Sequence, residues 1–105
     1  MVNSLEDTKG EDIVLIDLKE IVSYTDYFVI CTGTSDRMLD ALANSAIDDI
    51  RKKHKKKGKK QGNSRDGWVI VDYGDVVVHL FSPDQRDFYQ IEDLWVDGKV
   101  LLKLK

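Results

Sequence analysis

The sequence predicts a small α/β (α+β) domain built on one mixed sheet, and three observations carry that reading. Short apolar runs rich in β-branched residues are interleaved with one long stretch of helical periodicity. Glycine, Asx and Ser-Pro punctuation separates these runs at intervals suited to short strands. The length, 105 residues with 42% hydrophobic and 33% charged, matches a single globular domain with one core.

The elements follow in order. Residues 2–9 are a short polar lead-in of weak helical character. Residues 12–18 read as a first strand, apolar enough to be buried on both faces. A turn at 24–26 leads to a second strand over 27–32, stopped by Gly33. Thr34 or Ser35 then caps a helix that Asp36 supports by its first-turn charge. Leu39, Leu42, Ala46 and Ile50 recur at steps of three and four, which carries this helix to about Lys53. Residues 52–65 hold a lysine run, two glycines and no apolar residue, the composition of a flexible basic linker. Two strands joined by a tight turn follow, and Ser82-Pro83-Asp84-Gln85 is a capping box that opens a short helix. Residues 91–95 predict one more helical turn, Asp97-Gly98 a turn, and residues 99–102 an edge strand with charged neighbours. The sum is five strands and two main helices.

The hairpin holds the most chemistry. Tyr73-Gly74 lies between two β-branched runs, and glycine supplies the positive φ that a two-residue connection needs. With that pair as the loop, Asp72 faces Asp75, Ile70 faces Val77 and Trp68 faces His79. Alternation then gathers these six on one side and leaves Val69, Val71, Val76, Val78 and Leu80 on an aliphatic side. Two carboxylates set opposite each other repel, which suggests use by a partner; a wet turn that is acidic without purpose is the plainer alternative.

Charge is partitioned sharply. Residues 51–65 hold nine basic residues and no acidic one, whereas the rest of the chain holds seven basic and 19 acidic, for a net charge of −3. An acidic body of this kind repels nucleic acid and suits a basic protein partner. The single cysteine, Cys31, excludes an internal disulfide and sits in an apolar strand as a buried, reduced thiol would. No segment reaches membrane-spanning length and no secretory leader is visible, so a cytoplasmic protein is expected.

Catalytic sets are weak. His79 would lie roughly 13 Å along the strand from Asp75, too far to share a metal ion or hydrogen bond with it. The Gly33-Thr34-Ser35 loop before a helix could receive an anion but lacks the glycine spacing of a phosphate loop. No cofactor or metal is implied. The lysine run has no interleaved aromatic, so any RNA contact through Lys52–Lys60 would be to phosphate.

Two ordered blocks carry a family resemblance. One is G-W-V-I-V-D-Y-G-D-V-V-V-H-L-F, starting at Gly67, followed by Phe88, Tyr89, Ile91, Glu92, Leu94 and Trp95. The other is Ser23, Thr25-Asp26-Tyr27-Phe28 and the run from Val29 to Ser35. Over residues 11–95 the chain resembles the ribosomal silencing factor, or Iojap-like, family. Relative to that pattern the N-terminus is short, and Gln61-Gly62 stands where Glu-Gly is frequent. The resemblance implies a nucleotidyltransferase-like topology in a non-enzymatic translational repressor. Such a protein binds the large ribosomal subunit through ribosomal protein fourteen and blocks joining of the small subunit. It further implies Trp68, Asp72, Tyr73, Gly74 and Asp75 as the docking patch, with His79 and Tyr89 beside it. The rival reading is a small nucleotidyltransferase-like enzyme using Ser35, Asp72 and Asp75. A homodimer is compatible with either.

Overall fold

All five expected strands are present in the computed structural model, and a sixth joins them at one edge. The structure describes residues 2–20, 23, 25–54, 58–89 and 99–104, with side chains over 5–20, 23, 25–52 and 58–88. The order is α1 (Val2–Asp7), β1 (Glu11–Asp17), β2 (Tyr27–Thr32), α2 (Asp36–His54), β3 (Lys59–Asn63), β4 (Trp68–Asp72), β5 (Val76–Phe81), α3 (Pro83–Tyr89) and β6 (Lys99–Leu104). The sheet runs β3-β4-β5-β2-β1-β6. β2 and β5 are parallel and every other pairing is antiparallel, so the sheet is mixed as expected. The helical turn expected at 91–95 and the Asp97-Gly98 turn lie outside the described residues.

Alternation sorts the strands onto two faces. Ile13, Val29, Cys31, Val69, Val71, Val78 and Leu80 meet Leu39, Leu42, Ala43 and Ala46 of α2, with Leu5 of α1. Their neighbours Val14, Ile16, Phe28, Ile30, Val77 and Phe81 build a second cluster on the opposite face. A one-residue slip would exchange the two sets, so burial on both sides pins the register. Helix α2 forms where the apolar stripe predicts it: the Met38 N–H donates to Ser35 Oγ at 3.1 Å, which identifies Ser35 as the cap. Helix α3 starts in the same way, the Gln85 N–H donating to Ser82 Oγ at 3.3 Å. Arg86 on α3 is buried and donates from Nη1 to Thr32 Oγ1 at 2.9 Å and to the Asp12 carbonyl, which ties α3 to β1 and β2.

Two expectations are corrected. The segment 52–65 is largely regular structure: α2 continues to His54, β3 spans Lys59–Asn63, and Ser64–Asp66 form a 3-10 turn. Residues 55–57 lie outside the described residues. All five β3 residues are exposed, so the strand needs no apolar alternation; its ladder to β4 holds it, and hydrophobic periodicity could not reveal it. Gly62 is required there, at φ 85° with the Trp68 carbonyl oxygen 2.4 Å from where a Cβ would stand.

The second correction concerns the hairpin register. The Tyr73 N–H donates to the Val76 carbonyl at 2.9 Å, which makes Gly74-Asp75 the two-residue loop, with Gly74 at φ 84°. Asp72 therefore faces Val77, Ile70 faces His79 and Trp68 faces Phe81. Asp72 and Asp75 are not a cross-strand pair. Each residue of β4 meets a partner two places further along, an even displacement, so the expected division into two faces survives.

Candidate docking face

The face of the β4–β5 hairpin turned away from α2 carries Trp68, Ile70 and Asp72 from β4 and Val77, His79 and Phe81 from β5. Trp68 enters β4 directly after Gly67, whose left-handed φ of 79° closes the 3-10 turn. Its indole is half-buried, 4.9 Å centroid to centroid from the Phe81 ring. The Trp68 Nε1–H donates to His79 Nδ1 at 3.3 Å, which holds the indole in one orientation. Phe28 meets the imidazole edge-on at 4.6 Å, and Phe81 lies parallel to it at 6.1 Å.

His79 is only 5% exposed. Burial pushes its pKa down to about 4, and the Asp72 carboxylate only partly opposes that shift. The imidazole is therefore neutral at physiological pH. Because Nδ1 accepts from Trp68, the single proton resides on Nε2, which is buried and has no hydrogen-bond partner among the described residues. The family resemblance sets His79 beside the expected docking patch; the structure buries it beneath Trp68, to which it is hydrogen-bonded.

The remaining candidates separate. Asp72 is half-buried, and its Oδ1 accepts from the Gly74 N–H at 2.7 Å, an Asx turn that shapes the tip. Gly74 and Asp75 are exposed at the tip itself. The Asp75 carbonyl accepts from the Asp26 N–H at 2.8 Å, the Tyr27 N–H at 3.0 Å and Thr25 Oγ1 at 2.9 Å, which anchors the turn to the start of β2. Tyr73 points the other way. It packs with Val76 against the α2 cluster, its hydroxyl buried with no hydrogen-bond partner among the described residues. Burial first, then Asp49 and Asp48, raise its pKa to about 12. Tyr89 closes α3, and its side chain lies outside the described residues; Phe88 beside it is 77% exposed. Sequence reasoning missed Phe81 as part of the aromatic cluster, although its parity with His79 and Val77 was readable.

The enzyme constellation does not assemble. Ser35 follows the end of β2 at Thr32, which pairs with Phe81, whereas the acidic tip adjoins Tyr27 and Val76 at the other end. Five strand steps, about 16 Å, separate the two levels of the sheet. Ser35 Oγ is already engaged in capping α2. Among the described residues no group of three or more His, Cys, Asp or Glu is placed to hold a metal ion, and no helix is long and apolar enough to cross a membrane. Cys31 is buried, and desolvation raises its thiol pKa to about 12, so it is not a nucleophile at neutral pH.

The described residues form a small α+β domain whose outer hairpin face presents a half-buried indole beside an acidic turn. The chain belongs to the ribosomal silencing factor family: the family model described as ribosomal silencing factor during starvation matches residues 1–104. It is 40% identical over 93 residues to the ribosomal silencing factor of Bacillus subtilis, covering 89% of this chain and 79% of that protein. A mouse protein named mitochondrial assembly of ribosomal large subunit protein 1 is 35% identical over 98 residues, 90% of this chain and 43% of that one. A crystal structure of a Chromobacterium violaceum protein superposes with a TM-score of 0.84 at 39% identity, covering 90% of this chain and 78% of that chain. The family is one of regulators, not of known enzymes.

Proposed function

We propose that this protein represses translation in the cytoplasm by docking on the large ribosomal subunit through ribosomal protein fourteen, where its bulk blocks joining of the small subunit. The observation that carries the reading is the outer hairpin face, on which a half-buried tryptophan is held by a buried neutral histidine beside an acidic turn. An indole fixed in place loses little conformational freedom on binding, and aromatic anchors of this kind dominate interface energetics. Asp72 and Asp75 pair with basic groups on the partner and contribute orientation and association rate more than affinity. Tyr73 and Gly74 shape the tip, and Tyr89 at the end of α3 is a flanking contact. The basic stretch Lys52–Lys60 adds a contact to ribosomal RNA phosphate. Membership of the silencing-factor family supports the ribosomal setting, and the name of the mouse relative supports the large subunit.

Steric blocking requires no catalytic group. Cosedimentation with isolated large subunits tests the proposal, followed by addition of small subunits. Comigration with large subunits and a fall in joined ribosomes are expected; comigration with small subunits alone would overturn the reading.

A further inference from the structure

We propose that β3 extends the docking face with a short row that grips RNA backbone, so that the protein binds where ribosomal protein and ribosomal RNA meet. The inference rests on the docking reading above and deepens it. It starts from the strand that hydrophobic patterning could not show. Register pairs Lys59 with Asp72, Gln61 with Ile70 and Asn63 with Trp68, so these three β3 residues share the face that carries the tryptophan. Lys60, one step out of phase, points to the α2 side and is ion-paired with Asp40 at 3.6 Å. Among the described residues Lys59 has no such ion pair, and every β3 residue is exposed.

The chemistry of the row selects its occupant. Lys59 and the Gln61 amide can donate to phosphate, Asn63 Oδ1 already accepts from the Arg65 N–H, and β3 itself holds no aromatic on which a base could stack. Within an acidic body, positive charge gathers along this strand and the adjoining end of α2, where Lys52 and Arg51, the latter ion-paired with Asp48, are exposed. A basic ribosomal protein would instead be repelled by this segment and drawn to Asp72. Cross-strand neighbours stand about 5 Å apart, so Lys59 and Asp72 offer opposite charges to two partners that must themselves adjoin. β3 also ends the sheet order, which leaves its outer side open for approach.

The test is binding to isolated large subunits between about 50 and 200 mM salt, beside binding to isolated ribosomal protein fourteen. Lys59→Gln should weaken subunit binding and lower the log–log salt slope by roughly 0.7–0.9, about a threefold smaller loss across that range. Lys59→Arg should restore both, Lys60→Gln should change the slope less, and binding to the isolated protein should stay unchanged. An unaltered slope in Lys59→Gln overturns the RNA row, and an equal loss against the isolated protein would make β3 part of a protein interface instead. Wild-type protein that binds subunits but not isolated protein fourteen would sink the docking assignment, while the Lys59 slope still judges the row by itself.

Discussion

The two faces of one hairpin are built on opposite rules. Toward α2, Val69, Val71, Val78 and Leu80 are fully buried aliphatic residues, each replaceable in principle by another of similar volume. Away from α2, the same strands alternate to Trp68, Ile70, Asp72, His79 and Phe81, where a buried imidazole hydrogen-bonds to an indole and its second nitrogen has no partner among the described residues. The first face is what folding requires. The second retains a buried polar group that an aliphatic residue would avoid, tolerated because the Trp68 indole hydrogen-bonds to it.

If that division is correct, the largest effect belongs to the inner face and should spare docking. Leu42→Ala empties space between α2 and the sheet and should lower stability by about 2–5 kcal/mol. Urea unfolding measures the loss. Large-subunit binding, corrected for the folded fraction, should be unaltered; a parallel loss of intrinsic affinity would erase the distinction between the faces.

His79 sharpens the contrast through pH. Its folded pKa of about 4 lies below the ordinary 6.5, so the unfolded chain binds the proton more readily. The fold is therefore free of this penalty above about pH 6.5, loses stability as pH falls from there, and bears the full penalty below about 4. A displacement of this size corresponds to about 3 kcal/mol. His79→Phe keeps an apolar ring in the aromatic cluster and should flatten the profile in that window relative to wild type. Urea midpoints at pH 7, 5.5 and 4 check it; identical profiles would mean that the imidazole is open to water in both states.

Trp68→Ala is the mirror of the inner-face change. A half-buried anchor should cost about 2 kcal/mol of binding, roughly thirtyfold in affinity, with a smaller loss of stability. Should the melting temperature collapse while folded molecules bind normally, Trp68 belongs with the core and the outer face has no anchor.

The sequence made one face legible and left much of the other hidden, for physical reasons. β1, β2, β4, β5 and α2 could be read because burial imposes a period on their apolar residues. β3 could not, because an exposed edge strand is held by main-chain bonds that leave no trace in side-chain polarity. The hairpin loop was ambiguous, since Tyr73-Gly74 and Gly74-Asp75 both offer a glycine to a two-residue turn; what decides is the anchoring of Asp75 to β2, a contact 50 residues away in sequence. The composition of the hairpin was legible, and the direction of its side chains was not. Tyr73 looked like an interface aromatic beside carboxylates, yet its pairing with Val76 turns it under α2, and nothing in the local sequence tells a buried His79 from a surface one.

The smallest expected effect comes from Asp72, a carboxylate that both shapes the turn and borders the surface. Asp72 accepts from the Gly74 N–H through Oδ1, and an asparagine amide oxygen can take the same bond. Asp72→Asn therefore keeps the Asx turn and removes only charge, so stability should move by less than about 0.5 kcal/mol. Docking should respond in rate more than in strength, because charge at an interface rim steers encounter. Stopped-flow association with isolated ribosomal protein fourteen should slow severalfold at low salt, converge with wild type at high salt, and leave dissociation nearly unchanged. A faster dissociation with unaltered association would place Asp72 in a desolvated ion pair at the centre of the contact. The acidic turn would then be an anchor in its own right, and the division of labour between Trp68 and the carboxylates would have to be reversed.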